Sequence, residues 1–474
     1  MADKKTIGII SGLNLRAALE VKAQLLAQGG DDLCIIMSEE AFNTERNSEF
    51  ALSDRKIFVF NEAELLAEMG ADLIVVPDFK AGSFIHEVQR EIQTPIIDMK
   101  SALMAQTAQA ENVPVMGILD SGNAATCMSG ECDISKQFKM VFTTEEEDKA
   151  LDEAREQIRS GEVDAPLATL EAVSQRLIQD GAQVIVPNCT QFALLQKELV
   201  AKGVPVMDVF PAFAAAVLAH PTTKLPKPFK LGLIGGLGPA ATVDLYDKIV
   251  KATPAKNDQE HFKVVIEQNP QIDDRTACLL NGGADPTLAM YNCAKRLQKD
   301  GCDYAIIPCN TAHAFLPRLL RHLDIPFIDM QQTMLDAIKA KYGEQARVGL
   351  MATSGTLRTG IYSQKAEKMG MQMFVPDAEH QERVMSAIYG PKGAKAGFTT
   401  GECYEDLYSA AEYLVKEHGC NVLILGCTEL PLIFHEQDDF DVAGQKVAIV
   451  DPTATLARKC VEVAEATIKE RGVR

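Results

Sequence analysis

Two cysteines occupy matching places in the second half of the chain. Cys309 follows the apolar run Ala305-Ile306-Ile307-Pro308 and precedes Asn310-Thr311-Ala312-His313; Cys427 follows Val422-Leu423-Ile424-Leu425-Gly426 and precedes Thr428-Glu429. Each lies eight residues after a glycine, Gly301 and Gly419 respectively. Two buried structural thiols would be the plainer reading of isolated cysteines, which rank among the most buried residue types. The matched frames favour a working pair. Thiols facing each other across a cleft can take a proton from one side of a carbon and return one from the other, which inverts a stereocentre without a cofactor. A cysteine at the end of a strand, opening a helix, also gains from the helix dipole, so a thiolate at neutral pH is expected.

The elements that would hold these thiols repeat. The glycine-to-framed-residue spacing occurs twice more, from Gly181 to Cys189-Thr190 and from Gly70 to Asp78. Each framed strand is expected to turn into a helix, with the Thr after each cysteine as its hydroxyl cap. An aspartate then follows an apolar strand: Asp98, Asp208, Asp329 and Asp451, at spacings of 20, 19, 20 and 24 residues from the framed position. Short apolar strands alternating with helical stretches predict parallel sheets covered on both faces. Three prolines, Pro221, Pro226 and Pro228, mark a seam with similar openings on either side, Thr6-Ile7-Gly8-Ile9-Ile10 and Lys230-Leu231-Gly232-Leu233-Ile234. The fold class is therefore α/β in tandem duplication: residues 1–218, a Pro-rich linker at 219–229, and residues 230–474. Each half is expected to form two pseudo-symmetric lobes about a cleft, with ligands beyond the carboxyl ends of the strands.

The chain has 474 residues, 47% hydrophobic and 24% charged, with a formal net charge of −19. A field of that sign argues against nucleic acid and anionic membrane as partners. No apolar run approaches the ~18 residues of a membrane span, and the opening Met1-Ala2-Asp3-Lys4-Lys5 with a short strand is too brief for a signal peptide, so a cytoplasmic protein is expected. The twelve cysteines read as reduced thiols. Cys127 and Cys132 lack a second pair for zinc, and no structural metal is expected.

Residues 230 to about 460 resemble the aspartate/glutamate racemase superfamily, in its aspartate racemase branch. The resemblance is carried by Gly235-Gly236-Leu237-Gly238-Pro239, by Asn269-Pro270-Gln271-Ile272-Asp273-Asp274-Arg275-Thr276, by Pro308-Cys309-Asn310-Thr311-Ala312-His313 and by Leu425-Gly426-Cys427-Thr428-Glu429. It implies a cofactor-independent racemase, acting on aspartate or on glutamate and a broader set, with Cys309 and Cys427 as proton carriers. Asn310, Thr311 and Thr428 would hold the α-carboxylate, and Arg275 the distal one, because its fork of donors can grip a carboxylate by two bonds. Asn269, Gly236 and Lys395 complete the implied binding set; Lys392 competes with Lys395 for the register. An ion pair of Arg275 with Asp273 or Asp274 is the alternative for that residue. His313 reads as a packing or hydrogen-bonding residue, and Gly-Gly-x-Gly lacks the G-x-G-x-x-G spacing of a dinucleotide loop. Two rival functions stay open: another carbanion reaction in the same cleft, such as maleate isomerisation or decarboxylation, and a ligand-binding or sensory protein on a racemase scaffold.

The first half keeps the scaffold and departs at the chemistry. Asp78 stands in the place of Cys309, and an ion pair of Asp78 with Lys80 is expected. Residues 1–218 are read as a degenerate copy that does not racemise. The resemblance, whose members commonly dimerise, implies a covalent pseudo-dimer, open to further homo-oligomerisation.

Overall fold

The computed structural model describes residues 4–38, 40–42, 51–108, 114–120 and 139–474. Cys127 and Cys132 lie outside the described residues. The chain forms two compact units, Met1–Leu225 and Pro226–Arg474, divided within the proline stretch.

In the first unit, β1 (Lys5–Ile9), β2 (Leu33–Met37), β3 (Leu73–Val76) and β4 (Ile96–Asp98) make one parallel sheet in the order β2-β1-β3-β4. A second sheet, from β5 (Met116–Leu119), β6 (Met140–Val141) and β7 (Val184–Pro187), runs β6-β5-β7, also parallel. The second unit repeats the plan. β8 (Lys230–Gly235), β9 (Lys263–Gln268) and β10 (Tyr304–Ile306) form the parallel sheet β10-β8-β9. The other lobe carries β11 (Arg347–Met351), β12 (Gln372–Phe374), β13 (Val422–Leu425), β14 (Gln437–Val442) and β15 (Gln445–Val450) in the order β12-β11-β13-β15-β14.

Burial explains why these short runs are strands. All four side chains of β13 are buried, two in the core facing Leu407, Ala411 and Leu414, two in the core facing Leu335 and Ile338. A strand covered on both faces is a continuous aliphatic run. Truncating Leu423 to Ala would remove about 2–5 kcal/mol of packing and loosen the strand that carries Cys427. The helix Pro452–Arg471 returns to the first lobe, where Leu456, Ala457 and Cys460 share a core with Leu231, Leu233 and Leu245.

The structure corrects the sequence reading in three places. β14 pairs antiparallel with β15, through a turn at Ala443 (φ 51°) and Gly444 (φ 82°), the positive-φ pair a tight hairpin needs. This insertion accounts for the longer spacing from Cys427 to Asp451; the polar run Gln437-Asp438-Asp439 hid it. The strands expected at Val206 and Phe327 shrink to single bridges, to Ile185 and Ala305. The framed residues lead only into single helical turns, Thr190–Ala193, Thr311–Ala314 and Leu430–Leu432, none with a side-chain cap. The aspartates one element later cap the long helices instead: Asp329 accepts from the Gln331 and Gln332 amides, and Asp451 from Thr453.

Candidate active site

β10 and β13 belong to different sheets, and the loops leaving their carboxyl ends bring Cys309 and Cys427 to one cavity. Its lining also holds Arg275, Asn310, Thr311, Thr428 and Lys395 from the expected set. Asn269 and Gly236 are not in the lining. They form the turn beneath it: Gly236 sits at φ 91°, and a Cβ there would stand 2.3 Å from the Asn269 carbonyl carbon. Asn269 accepts from the Gln271 amide at 3.1 Å. Lys392 is exposed and pairs with Glu402, so Lys395 is the lysine of the site.

The threonine hydroxyls bridge the lobes. Thr311 Oγ1 bonds Thr353 at 3.1 Å and Thr356 at 2.8 Å, both beyond β11, and Thr428 Oγ1 donates to the Pro308 carbonyl at 3.3 Å. Tyr389 reaches Thr276 and Asp274 at 3.5 Å. These contacts hold the lobes together around an internal space of about 20 Å³, room for about one water. A molecule larger than water enters only if the lobes part.

Arg275 makes no ion pair with Asp273 or Asp274. Its Nη1 donates to the carbonyls of Ile272 and Asp273 and its Nη2 to that of Leu237, at 3.3, 3.1 and 2.8 Å. Nε–H is buried with no acceptor. Burial works against the Arg275 charge; Cys309 facing it works for it, and the net shift of its pKa is upward. Asn310 is half satisfied in the same way. Its Oδ1 accepts from the Tyr362 hydroxyl at 2.7 Å, while Nδ2 is buried without a partner. Unfilled buried donors of this kind are costly unless something occupies the site.

Glu429 organises the other wall. The Cys427 thiol donates to Glu429 Oε2 at 2.9 Å, and Lys395 Nζ pairs with Oε1 at 2.9 Å. Burial, and then the Glu429 carboxylate, push the Cys427 pKa well above its usual value. This reverses the expectation of a thiolate at Cys427: the helical turn after it is too short to supply a dipole, and an anion stands beside it. Glu429 holds Lys395 the more firmly protonated. Tyr389, over whose ring Lys395 lies at 5.2 Å, is pushed by burial to about 12. The two sulfurs thus have opposite surroundings, a cation beside Cys309 and a carboxylate beside Cys427.

His313 hydrogen-bonds as expected. Its Nδ1 donates to the Cys309 carbonyl at 2.9 Å and its Nε2 accepts from the Met330 amide at 3.2 Å, a neutral tautomer whose pKa burial lowers. Glu429, Tyr389, Thr353 and Thr356 went unassigned in the sequence. Glu429 had a signal, two residues from a framed cysteine; the other three reach the site only through folding.

In the first unit Asp78 pairs with Arg55 at 3.3 Å, and not with Lys80 as expected. The helix Ala51–Glu68 supplies Arg55 from the side, while Asp78 Oδ1 is already turned toward the Ala81 amide at 3.1 Å. Among the described residues, no helix is long and apolar enough to cross a membrane.

The model of the Asp/Glu/hydantoin racemase family matches the chain twice, over residues 7–217 and 234–460. The chain is 23% identical over 239 residues to the broad specificity amino-acid racemase RacX of Bacillus subtilis, spanning 49% of this chain and 96% of that one. It is 29% identical over 170 residues to a glutamate racemase of Desulforudis audaxviator, 34% of this chain and 56% of that one. Among solved structures, Picrophilus torridus aspartate racemase aligns at 28% identity over 52% of this chain and 95% of its own, with a TM-score of 0.41. Two successive matches, each spanning a two-lobed α/β unit, make this chain a tandem member of the Asp/Glu/hydantoin racemase family.

Proposed function

We propose that the second unit interconverts the L and D forms of an acidic amino acid, aspartate foremost, by a two-base mechanism with Cys309 and Cys427 as proton carriers. The observation supporting this reading is that thiols from two sheets open on one cavity together with a buried cation, a lysine and one unfilled amide donor. In a two-base inversion one carrier must start as base and the other as acid. Cys309, faced by Arg275, suits the base; Cys427, bearing its proton toward Glu429, suits the acid. After one inversion Cys309 holds the proton and Cys427 is the thiolate, ready for the return direction; when the opposite enantiomer meets the resting site instead, Glu429 is placed to take the Cys427 proton while Cys309 gains one from solvent. Asn310 Nδ2 and Arg275 Nε–H are donors available to substrate carboxylates, and Lys395 can exchange Glu429 for a substrate carboxylate as the lobes close.

In the same reading, residues 1–218 keep the scaffold without the paired thiols and make the chain an intramolecular pseudo-dimer. Circular dichroism of L-aspartate with the protein and no added pyridoxal phosphate tests the activity: ellipticity decays to zero with no change in mass. Ellipticity that holds for L-aspartate and L-glutamate alike would refute it. Residues 230–474 expressed alone test the pseudo-dimer. Full activity from a stable monomer would remove the structural role of the first half.

A further inference from the structure

The first unit contains a cleft of about 1230 Å³ at the carboxyl ends of β3 and β7, lined by Asp78 and by Cys189-Thr190, the counterparts of Cys309 and Cys427-Thr428. In a chain of net charge −19, six basic side chains line this one space, Arg16, Arg55, Lys80, Lys100, Arg155 and Arg159, beside five carboxylates, Asp78, Asp120, Asp152, Glu153 and Glu156. Arg55 holds Asp78, and Arg155 holds Asp152. The side chains of Arg16, Lys80 and Arg159 make no hydrogen bond or ion pair with a described residue. Partial burial, and then the charges of Arg155 and Arg55, press the Arg159 pKa down, with Cys189 and Asp78 pulling against them.

The three unmatched cations come from both walls. Arg16 lies in the first turn of the helix Leu15–Gly29 and Lys80 follows β3, both in the lobe of the first sheet; Arg159 ends the helix Glu145–Ser160 of the other lobe. Cations on opposed walls suit an anion with a head at each end better than a single-centred one.

Among the described residues of the lining, the machinery for proton transfer is missing. Cys189 is the one thiol among the described lining residues, and burial, then Asp120, push it to about 11. Asp78 is occupied by the Ala81 amide, Arg55 and the Thr190 hydroxyl. We infer that this cleft binds a small dicarboxylic acid, one head between Arg16 and Lys80 and the other at Arg159, and leaves it chemically unchanged.

Succinate is the probe, because it has the two heads and no stereocentre for the second unit to act on. Calorimetric titration of the full chain is expected to show a succinate site that Arg159→Gln weakens about 10-fold or more, with Lys80→Gln acting in the same direction. Both side chains are exposed, so the variants should fold as the native chain does. Any turnover by the second unit should stay within about twofold of native. Isotherms of both variants superposing on the native one would overturn the inference. So would the absence of succinate binding, or inorganic phosphate competing for the site with equal affinity. A chain that loses its succinate site in Arg159→Gln yet racemises nothing would uphold this cleft and refute the activity proposed for the second unit.

Discussion

Replacing Glu429 by Gln separates the proton acceptor from the shape of the site. The residue is 4% exposed, accepts the Cys427 thiol at 2.9 Å on one oxygen and Lys395 at 2.9 Å on the other. Gln keeps the volume and one carbonyl oxygen and removes the negative charge. A positioned general base contributes about 10²–10⁴-fold, or about 3–5 kcal/mol of barrier, so racemisation should fall by that factor from either enantiomer, because an equilibrium constant of one ties kcat/KM in the two directions together. The thiol itself should move the opposite way. Burial is the first cause of its raised pKa and the Glu429 carboxylate the next; with the carboxylate gone and Lys395 left facing the sulfur, thiolate should form at lower pH. Two assays follow the two effects: initial rates from each enantiomer by circular dichroism, and thiolate absorbance near 240 nm against pH in a Cys309→Ala background. A slower enzyme with a more acidic Cys427 is the expected pair. Native rates in both directions, or a thiolate midpoint that rises, would refute the assignment of Glu429 as proton acceptor.

Cys309→Ala and Cys427→Ala should each abolish racemisation, whereas Cys189→Ala should leave the rate within about twofold, all three read by loss of ellipticity. Gly355→Ala tests the closed cavity. A Cβ there meets Thr276 Oγ1 at 3.0 Å and Thr276 Cα at 3.1 Å, so the lobes should be wedged apart, kcat should fall, and Cys309 and Cys427 should alkylate faster in peptide mass spectrometry. Slower alkylation with an unchanged kcat would contradict the wedge. Asp329→Asn keeps a helix cap and loses the 2.6 Å pair with Lys365. Burial opposes the Asp329 charge, but the Lys365 ammonium and the Gln332 amide outweigh it and depress its pKa, so its contribution is present above the unfolded carboxylate value near ~4 and is lost as pH falls through the folded one. The variant's deficit in unfolding free energy by urea titration, about 1 kcal/mol at pH 7, should shrink toward zero by pH 3.

The duplicated architecture was legible because its signals are local. A glycine at positive φ, a buried aliphatic run and a framed residue recur in each lobe, and the aspartates that follow were visible as a spacing before three of them, Asp98, Asp329 and Asp451, proved to accept from the first turn of a helix. Cys309, Cys427, Arg275 and Lys395 could be singled out by type and neighbourhood, and folding gathers them at one cavity. What sequence could not supply was the sign of each local field. The thiolate expected from a helix dipole fails at Cys427 because only a single turn follows and because Glu429 points back at the sulfur. Threonines read as caps reach across the cleft instead, since their partners Thr353, Thr356 and Pro308 lie 42, 45 and 120 residues away. Asp78 finds Arg55 for the same reason, a partner 23 residues distant prevailing over one two residues away. Asn269 and Gly236 show the converse: a motif can sit beside a site because its backbone shapes the floor.

Racemisation of L-aspartate in heavy water probes the opposed sulfurs most directly. With one carrier removing the proton and another delivering deuterium, the D-product formed early should carry deuterium at Cα while recovered L-aspartate stays protiated, by proton NMR and mass spectrometry. Deuterium appearing in the recovered substrate as fast as in the product would mean a single base exchanging with solvent, and would contradict a site that works from both sides of the carbon.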